Sequence, residues 1–335
     1  MKLHPALAAL PLSALLLAGC ASPLAGKSAD LATRQVLREN LQHASYNFSG
    51  ELGFTSLHGS SADDANPQLS YTINQVARAT KLALSGAVDR DSKRLELIPA
   101  LRFERRNLQA SITLPLELNL QDFSLLVDPA ALDLFVPELY SEQARFVRFK
   151  LPSDMASKIP LDAMLKALPG LADEGYGTVD KQVFTLEALD ATARQLGASY
   201  QLRIAMNPQQ ESQIALYILD GLIKVIQHEA ERQGRPDDGK QAASTMQLAR
   251  ILLQNSASQM QASRTVSHLY ANRQGQLLGV NQEITLDTPQ LRGLAYLHLR
   301  YNNHGKPVFA YQPAASDIID YDKLSKPQWL KQLDK

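Results

Sequence analysis

From Tyr46 onward the chain alternates between apolar and polar positions. Tyr46, Phe48, Leu52 and Phe54 alternate with Asn47, Ser49, Glu51 and Gly53, the period-two pattern of a half-buried strand. The same period recurs at Leu69-Tyr71-Ile73 and Leu82-Leu84, and at Leu95-Leu97 and Leu101-Phe103 after the turn Asp89-Arg90-Asp91-Ser92. It is clearest at Ile112-Leu114-Leu116-Leu118-Leu120, whose other face carries Thr113, Pro115, Glu117 and Asn119. Pro115 has no N–H to give a ladder, which predicts an edge or a bulge there. Residues 58–67 predict a loop. Further strands are predicted at Phe146 to Leu151, at 182–189 and at Tyr200-Leu202-Ile204-Met206. The last third alternates again at Val266-His268-Tyr270, Leu278-Val280, Ile284-Leu286 and Ala295-Leu297-Leu299-Tyr301, with hairpin turns expected at 272–275 and 302–305.

Helical periods interrupt this pattern in blocks. Leu31 to Ala44 carries Leu37, Leu41 and Ala44 on one face, with Asp30 as the expected N-cap. Residues 154–172 are apolar at helical spacing, and Pro160 and Pro169 are expected to break them into short pieces. Asn207-Pro208 opens a long helix, about 209–233, whose stripe is Ile214, Tyr217, Ile218, Leu222, Val225 and Ile226. A turn at 234–240 leads to a second helix, about 241–256, with Ala242, Met246, Ala249 and Leu253 on one face and Leu248, Ile251 and Leu252 widening it.

Strands joined by turns rather than by regular crossover helices imply antiparallel pairing. The fold expected is α+β: a curved, half-barrel-like antiparallel sheet with inserted helices packed on one face. No shift in composition divides the chain, so residues 31–325 are expected to form a single large domain, followed by a C-terminal tail at 326–335.

The N-terminus has a different pattern. A short basic start at Met1-Lys2 precedes an apolar run over residues 5–17, too short to span a bilayer but suited to an export signal. Leu17-Ala18-Gly19-Cys20 resembles the bacterial lipobox, and Cys20 is the only cysteine of the chain. The resemblance implies a signal peptide over 1–19 and a Cys20 that receives a diacylglycerol (usually with a further acyl chain, such as palmitate, on its amine). Each buried methylene is worth roughly 0.8 kcal/mol, so two or three chains hold a domain firmly on a membrane. Ala21, where Gram-negative retention signals place Asp, implies the outer membrane, facing the periplasm. Residues 20–30 are expected to be the lipidated cysteine and its tether.

The order of helix, strands, inserted helices and strands, behind a lipobox, resembles the LolA/LolB and LppX-type superfamily of envelope lipoprotein and lipid carriers. The residues that carry the likeness are the step Leu41, Tyr46, Phe48, Gly50, the Tyr200-to-Met206 strand running into the 209–233 helix, and a terminal hairpin ending in Lys306-Pro307-Val308 and Pro313. They cover about half the chain, which is longer than the typical carrier.

Composition narrows the function classes. Lys+Arg and Asp+Glu both total 34, so the chain lacks the basic field that nucleic-acid binding needs, and no nucleic-acid partner is expected. A single cysteine excludes an internal disulfide and any cysteine cluster for a metal. No GxSxG, GxxxxGK[ST] or GxGxxG occurs, and His228-Glu229 fails HExxH because Arg232 stands where the second histidine belongs. His268 and His298 read as polar strand positions rather than metal ligands, and Asp220 and Lys224 as an i,i+4 ion pair. No catalytic group, metal or cofactor is expected, so the reading is a binder rather than an enzyme. The candidate ligand site is apolar: Ile214, Ile218 and Leu222 on the long helix, laid over the sheet around a lipid or acyl chain. The alternative is an interaction module of an envelope assembly, with a filled core.

Overall fold

The computed structural model describes residues 22–59, 67–131, 145–260, 262–288 and 291–324. The expected signal peptide, Cys20, most of the 58–67 loop and the 326–335 tail lie outside the described residues.

Thirteen strands form one open, curved sheet, with seven α-helices among the described residues. The N-terminal half of the sheet contributes β1 (Ser45–Gly59), β2 (Thr80–Asp89), β3 (Arg94–Arg105), β4 (Leu108–Thr113), β5 (Leu116–Asn119), β6 (Ser124–Val127) and β7 (Phe146–Lys150). The C-terminal half contributes β8 (Phe184–Glu187), β9 (Tyr200–Met206), β10 (Arg264–Ala271), β11 (Leu277–Asp287), β12 (Leu291–Asn302) and the short β13 (Ile318–Asp320). The order is β13-β7-β6-β5-β3-β2-β1-β12-β11-β10-β9-β8, with β4 paired to β3 alone. The two halves meet where β1 pairs with β12. Every pairing is antiparallel except β13 with β7, which is parallel and makes the sheet mixed. Strand curvature is permitted by missing side chains: a Cβ on Gly50 would collide with the His298 carbonyl oxygen, and one on Gly86 with that of Glu96.

Alternation sorts the residues cleanly. Along β10, Leu269 belongs to the main core with Leu202, Ile204, Leu277 and Val280, while its neighbour Tyr270 packs on the other face with Ala193 and Ala198. Helices α1 (Ala29–Gln42), α4 (Leu161–Tyr176) and α6 (Pro208–Arg232) cover the apolar face. The short α5 (Ala191–Gln195) lies on the opposite, polar face, so the helices are not all on one side. There are also α2 (Pro67–Ala79) against β1, the single-turn α3 (Ser153–Ala156), and α7 (Pro236–Gln259), which packs on α6.

Several local expectations are corrected. Leu69-Tyr71-Ile73 is not a strand but the first half of α2, where three alternating residues lost to a helical stripe of Ile73, Val76 and Ala77. Asp30 is not the N-cap of α1. Ser28 holds that position, and Asp30 sits buried in the first turn, its carboxyl kept below the ordinary range first by the Ser28 hydroxyl. The 112–120 run is split into β4 and β5 at Leu114-Pro115, yet both pieces keep one register against β3: Thr113 faces Ala100 and Leu116 faces Leu97. Pro115 thus interrupts the ladder without a bulge, and only the β4 side is an edge, since β5 also pairs with β6.

Pro169 does not break its helix and lies inside α4. The carbonyl that its missing N–H strands belongs to Leu165, and Arg90 in the β2–β3 turn donates to it at 2.7 Å. The same guanidinium donates to the Leu41 and Gln42 carbonyls at the end of α1, at 2.7 and 2.8 Å. The turn expected at 234–240 is shorter, because Pro236 already starts α7. Asp220 pairs with Arg250 across the α6–α7 contact at 3.3 Å, not with Lys224. Residues 302–305 do turn, with Asn303 and Gly305 at positive φ, but no hairpin follows. The chain instead crosses the polar face as a strap. Val308 exchanges hydrogen bonds with the Asn47 side chain, and the buried Glu96 carboxylate accepts the Ala310 and Tyr311 N–H groups at 3.0 and 2.8 Å.

Candidate apolar binding site

The site lies between the apolar face of the sheet and the helices that cover it. Its construction begins at Asn207, which ends β9 and caps α6. The Asn207 side chain accepts the Gln210 N–H at 2.9 Å, and the Gln210 side chain accepts the Asn207 N–H at 3.0 Å. This capping box, with Pro208 at the first helical position, turns the chain back over the strands it has just left. Ile214 and Ile218, one turn apart, then point at the sheet. Gly175 of α4 lets the two helices approach closely there, since a Cβ on it would touch Ile214 at 3.4 Å and Ile218 at 3.5 Å. The two helices are tied further by Tyr217 donating to Glu174 at 2.8 Å, and α4 is tied to α1 by Arg34 and Asp173 at 2.8 Å.

These helices do not fill the space beneath them. A cavity of about 470 Å³ remains, within the range of small-molecule sites. Its walls are Leu37 of α1, Tyr176 of α4, Ile214, Ala215 and Ile218 of α6, and the inward residues of four strands: Ile204 and Met206, Leu269, Leu277 and Val280, and Leu297, Leu299 and Tyr301. The polar lining is sparse. Gln282 donates to Ser267 at 2.9 Å, and Glu211 stands in the first turn of α6. Burial pushes the Tyr301 hydroxyl far above the ordinary phenol range. It also raises Tyr176, where the nearby Glu211 carboxylate adds to the effect. Both phenols therefore stay neutral donors in an apolar wall. Tyr301 is braced from behind by Tyr46, edge-on at 5.2 Å between ring centres.

The structure brings two of the three expected site residues together. Ile214 and Ile218 line the cavity, whereas Leu222, half-buried one turn further along α6, does not. Cys20 lies outside the described residues, but Ser22 does not: its hydroxyl bonds the Arg273 carbonyl at 2.7 Å, and Leu24 is buried in the main core. The pattern reading missed the contributions of α1 and β12 and the acid Glu211. That last signal was available, because Glu211, Ile214, Ala215 and Ile218 fall at i, i+3, i+4 and i+7. His268 and His298 do share a face, but Asn281 of β11 separates them in register. His268 meets Glu187 at 3.3 Å and His298 lies against the Tyr296 ring at 4.9 Å. Among the described residues no group of three His, Cys, Asp or Glu side chains is arranged to hold a metal ion.

Together these features define a class: an α+β protein with an open curved sheet, roofed by helices over an apolar cavity. In comparisons with known proteins, no protein-family model matches the chain, and no curated protein matches it either.

Proposed function

We propose that this protein is an envelope lipoprotein, held at the outer membrane through acyl chains on Cys20, that binds a lipid or other apolar ligand under α6 and acts as its carrier or chaperone. The observation that carries this reading is the cavity itself. Side chains that would ordinarily close a core leave about 470 Å³ open between Ile214, Ile218 and the inward face of β9–β12. The cleft is partly open to solvent, so its aliphatic walls meet water that an apolar ligand would displace. The lining is mostly aliphatic, which matches acyl chains, the abundant apolar molecules at a membrane. The lipobox and the likeness to the LolA/LolB and LppX-type carriers point the same way.

The test uses N-phenyl-1-naphthylamine, an uncharged apolar fluorophore. The parent protein should bind it with a rise in emission. Ile218→Trp should fill the cavity and weaken binding at least tenfold with little change in Tm, while Leu222→Trp, outside the lining, should leave binding within about twofold. If the parent does not bind, or if Ile218→Trp instead lowers stability by the roughly 1–3 kcal/mol of an overpacked core, the carrier reading is wrong.

A second reading rests on a separate observation. Leu248, Ile251 and Leu252 on α7 are 64%, 52% and 69% exposed, an apolar face suited to an envelope protein partner.

A further inference from the structure

The cavity carries information about the polar end of its ligand. Among the described residues, Glu211 is the only charged side chain in the lining, and no cation lines it. Glu211 is half-buried as a residue, and its carboxylate has neither a hydrogen bond nor an ion pair among the described residues. The helix dipole favours an acid in the first turn of α6, which explains its presence on the helix but not its aim. Of the positions in that turn, Glu211 is the one in line with Ile214 and Ile218 and so faces the site. The remaining polar lining adds the Ser267–Gln282 pair and the two neutral phenols, Tyr176 and Tyr301.

Such a lining discriminates. An anionic head group needs a cation or converging N–H donors, and here the charged group it would meet in the lining is a carboxylate of the same sign. A head group that donates hydrogen bonds and carries no negative charge satisfies Glu211 instead. Resting on the carrier reading, we infer that Glu211 is a specificity residue that selects apolar chains ending in an amine, hydroxyl or amide and rejects free fatty-acid anions.

The experiment titrates full-length protein carrying Cys20→Ser, so that no acyl group of its own competes, with three single-chain probes at pH 7.5, each kept below its micelle concentration or solubility limit. These are dodecylammonium, dodecanol and dodecanoate, each displacing N-phenyl-1-naphthylamine. Dodecylammonium and dodecanol should displace the fluorophore at least tenfold more effectively than dodecanoate. Glu211→Gln should weaken dodecylammonium about tenfold, strengthen dodecanoate, and leave dodecanol within about threefold. Equal affinity for dodecanoate and dodecylammonium in the parent would overturn the inference while leaving the cavity reading intact. So would a dodecylammonium affinity that Glu211→Gln does not change, because the amine would then be binding elsewhere. Failure of all three probes and of the fluorophore itself would overturn the carrier reading and this inference together.

Discussion

Arg90 and Pro169 explain one another. Proline inside a helix leaves the carbonyl four residues back without its donor, usually at a cost of about 3 kcal/mol. Here Arg90, 75 residues away in sequence, donates to that carbonyl and to two at the end of α1 with the same guanidinium. The two residues should therefore be thermodynamically coupled. Arg90→Ala should lower stability by about 1–3 kcal/mol, since charge-assisted bonds are lost and the part-buried Leu41 and Leu165 carbonyls are left without this donor. Pro169→Ala should recover about 1 kcal/mol of that loss by restoring a helical N–H to Leu165, and do less in the parent. Denaturant melts of the four proteins measure it; strict additivity would mean that Arg90 does not serve Leu165. At this scale the sequence was only half legible. The local rule for proline predicts a break at Pro169 that does not occur, because the rescuing group lies in a distant turn that no periodicity connects to it. Glu211 is the reverse case, a charge on an apolar stripe that helical spacing alone exposes. Glu96 gives no such sign: its place in β3 reads as a polar outward position, yet it is buried and bonded to the strap that crosses it.

At the scale of elements, long and regularly patterned segments were legible and short ones were not. The alternation from Tyr46 to Phe54 and the stripe of α6 each run for many residues and match β1 and α6 closely. Leu69-Tyr71-Ile73 is three positions long, too few to distinguish a period of two from the start of a helix. The strand β13 carried no pattern at all, because its three residues are held by pairing rather than by a buried face. Its parallel pairing with β7 is reinforced by Arg148 and Asp320 at 2.6 Å. That hydrogen bond keeps the Asp320 carboxyl below its ordinary value of 3.8. A depressed acid contributes stability in full above its unfolded value and loses it as the pH falls through the depressed one. The hold on β13 should therefore be complete above about pH 4 and weaken below it. Amide protection over Ile318–Asp320, corrected for intrinsic exchange, should drop across that interval in the parent. Asp320→Asn should show weak protection at every pH. Protection that is flat with pH in the parent would mean that backbone pairing alone holds the strand.

On the scale of the whole molecule, the α+β class and the mainly antiparallel sheet were legible because strands joined by turns leave few other solutions, whereas the parallel β13 was not. The volume enclosed was not, since a filled core and an open one share the same apolar pattern. What separates them is where small residues such as Ala215 on α6 and Ser267 on β10 fall in the lining, a matter of three-dimensional register. The overall layout also bears on how the protein is mounted. Ser22 and Leu24 pin the start of the described chain beside the β10–β11 turn. An anchor at Cys20 would thus hold that end of the sheet close to the membrane with almost no free tether, and Leu101, Leu108 and Ile112 would lie at the far end of β3 and β4. The central claim is that the space under α6 holds an apolar molecule taken from the envelope. Native mass spectrometry of the protein, extracted gently from its own membranes, tests it most directly. The account predicts a non-covalent acyl-containing species in addition to the mass attached at Cys20. That species should be released on collisional activation and be absent from Ile218→Trp prepared in the same way. A parent protein that carries only its covalent acyl mass, indistinguishable from the Ile218→Trp variant, would contradict it.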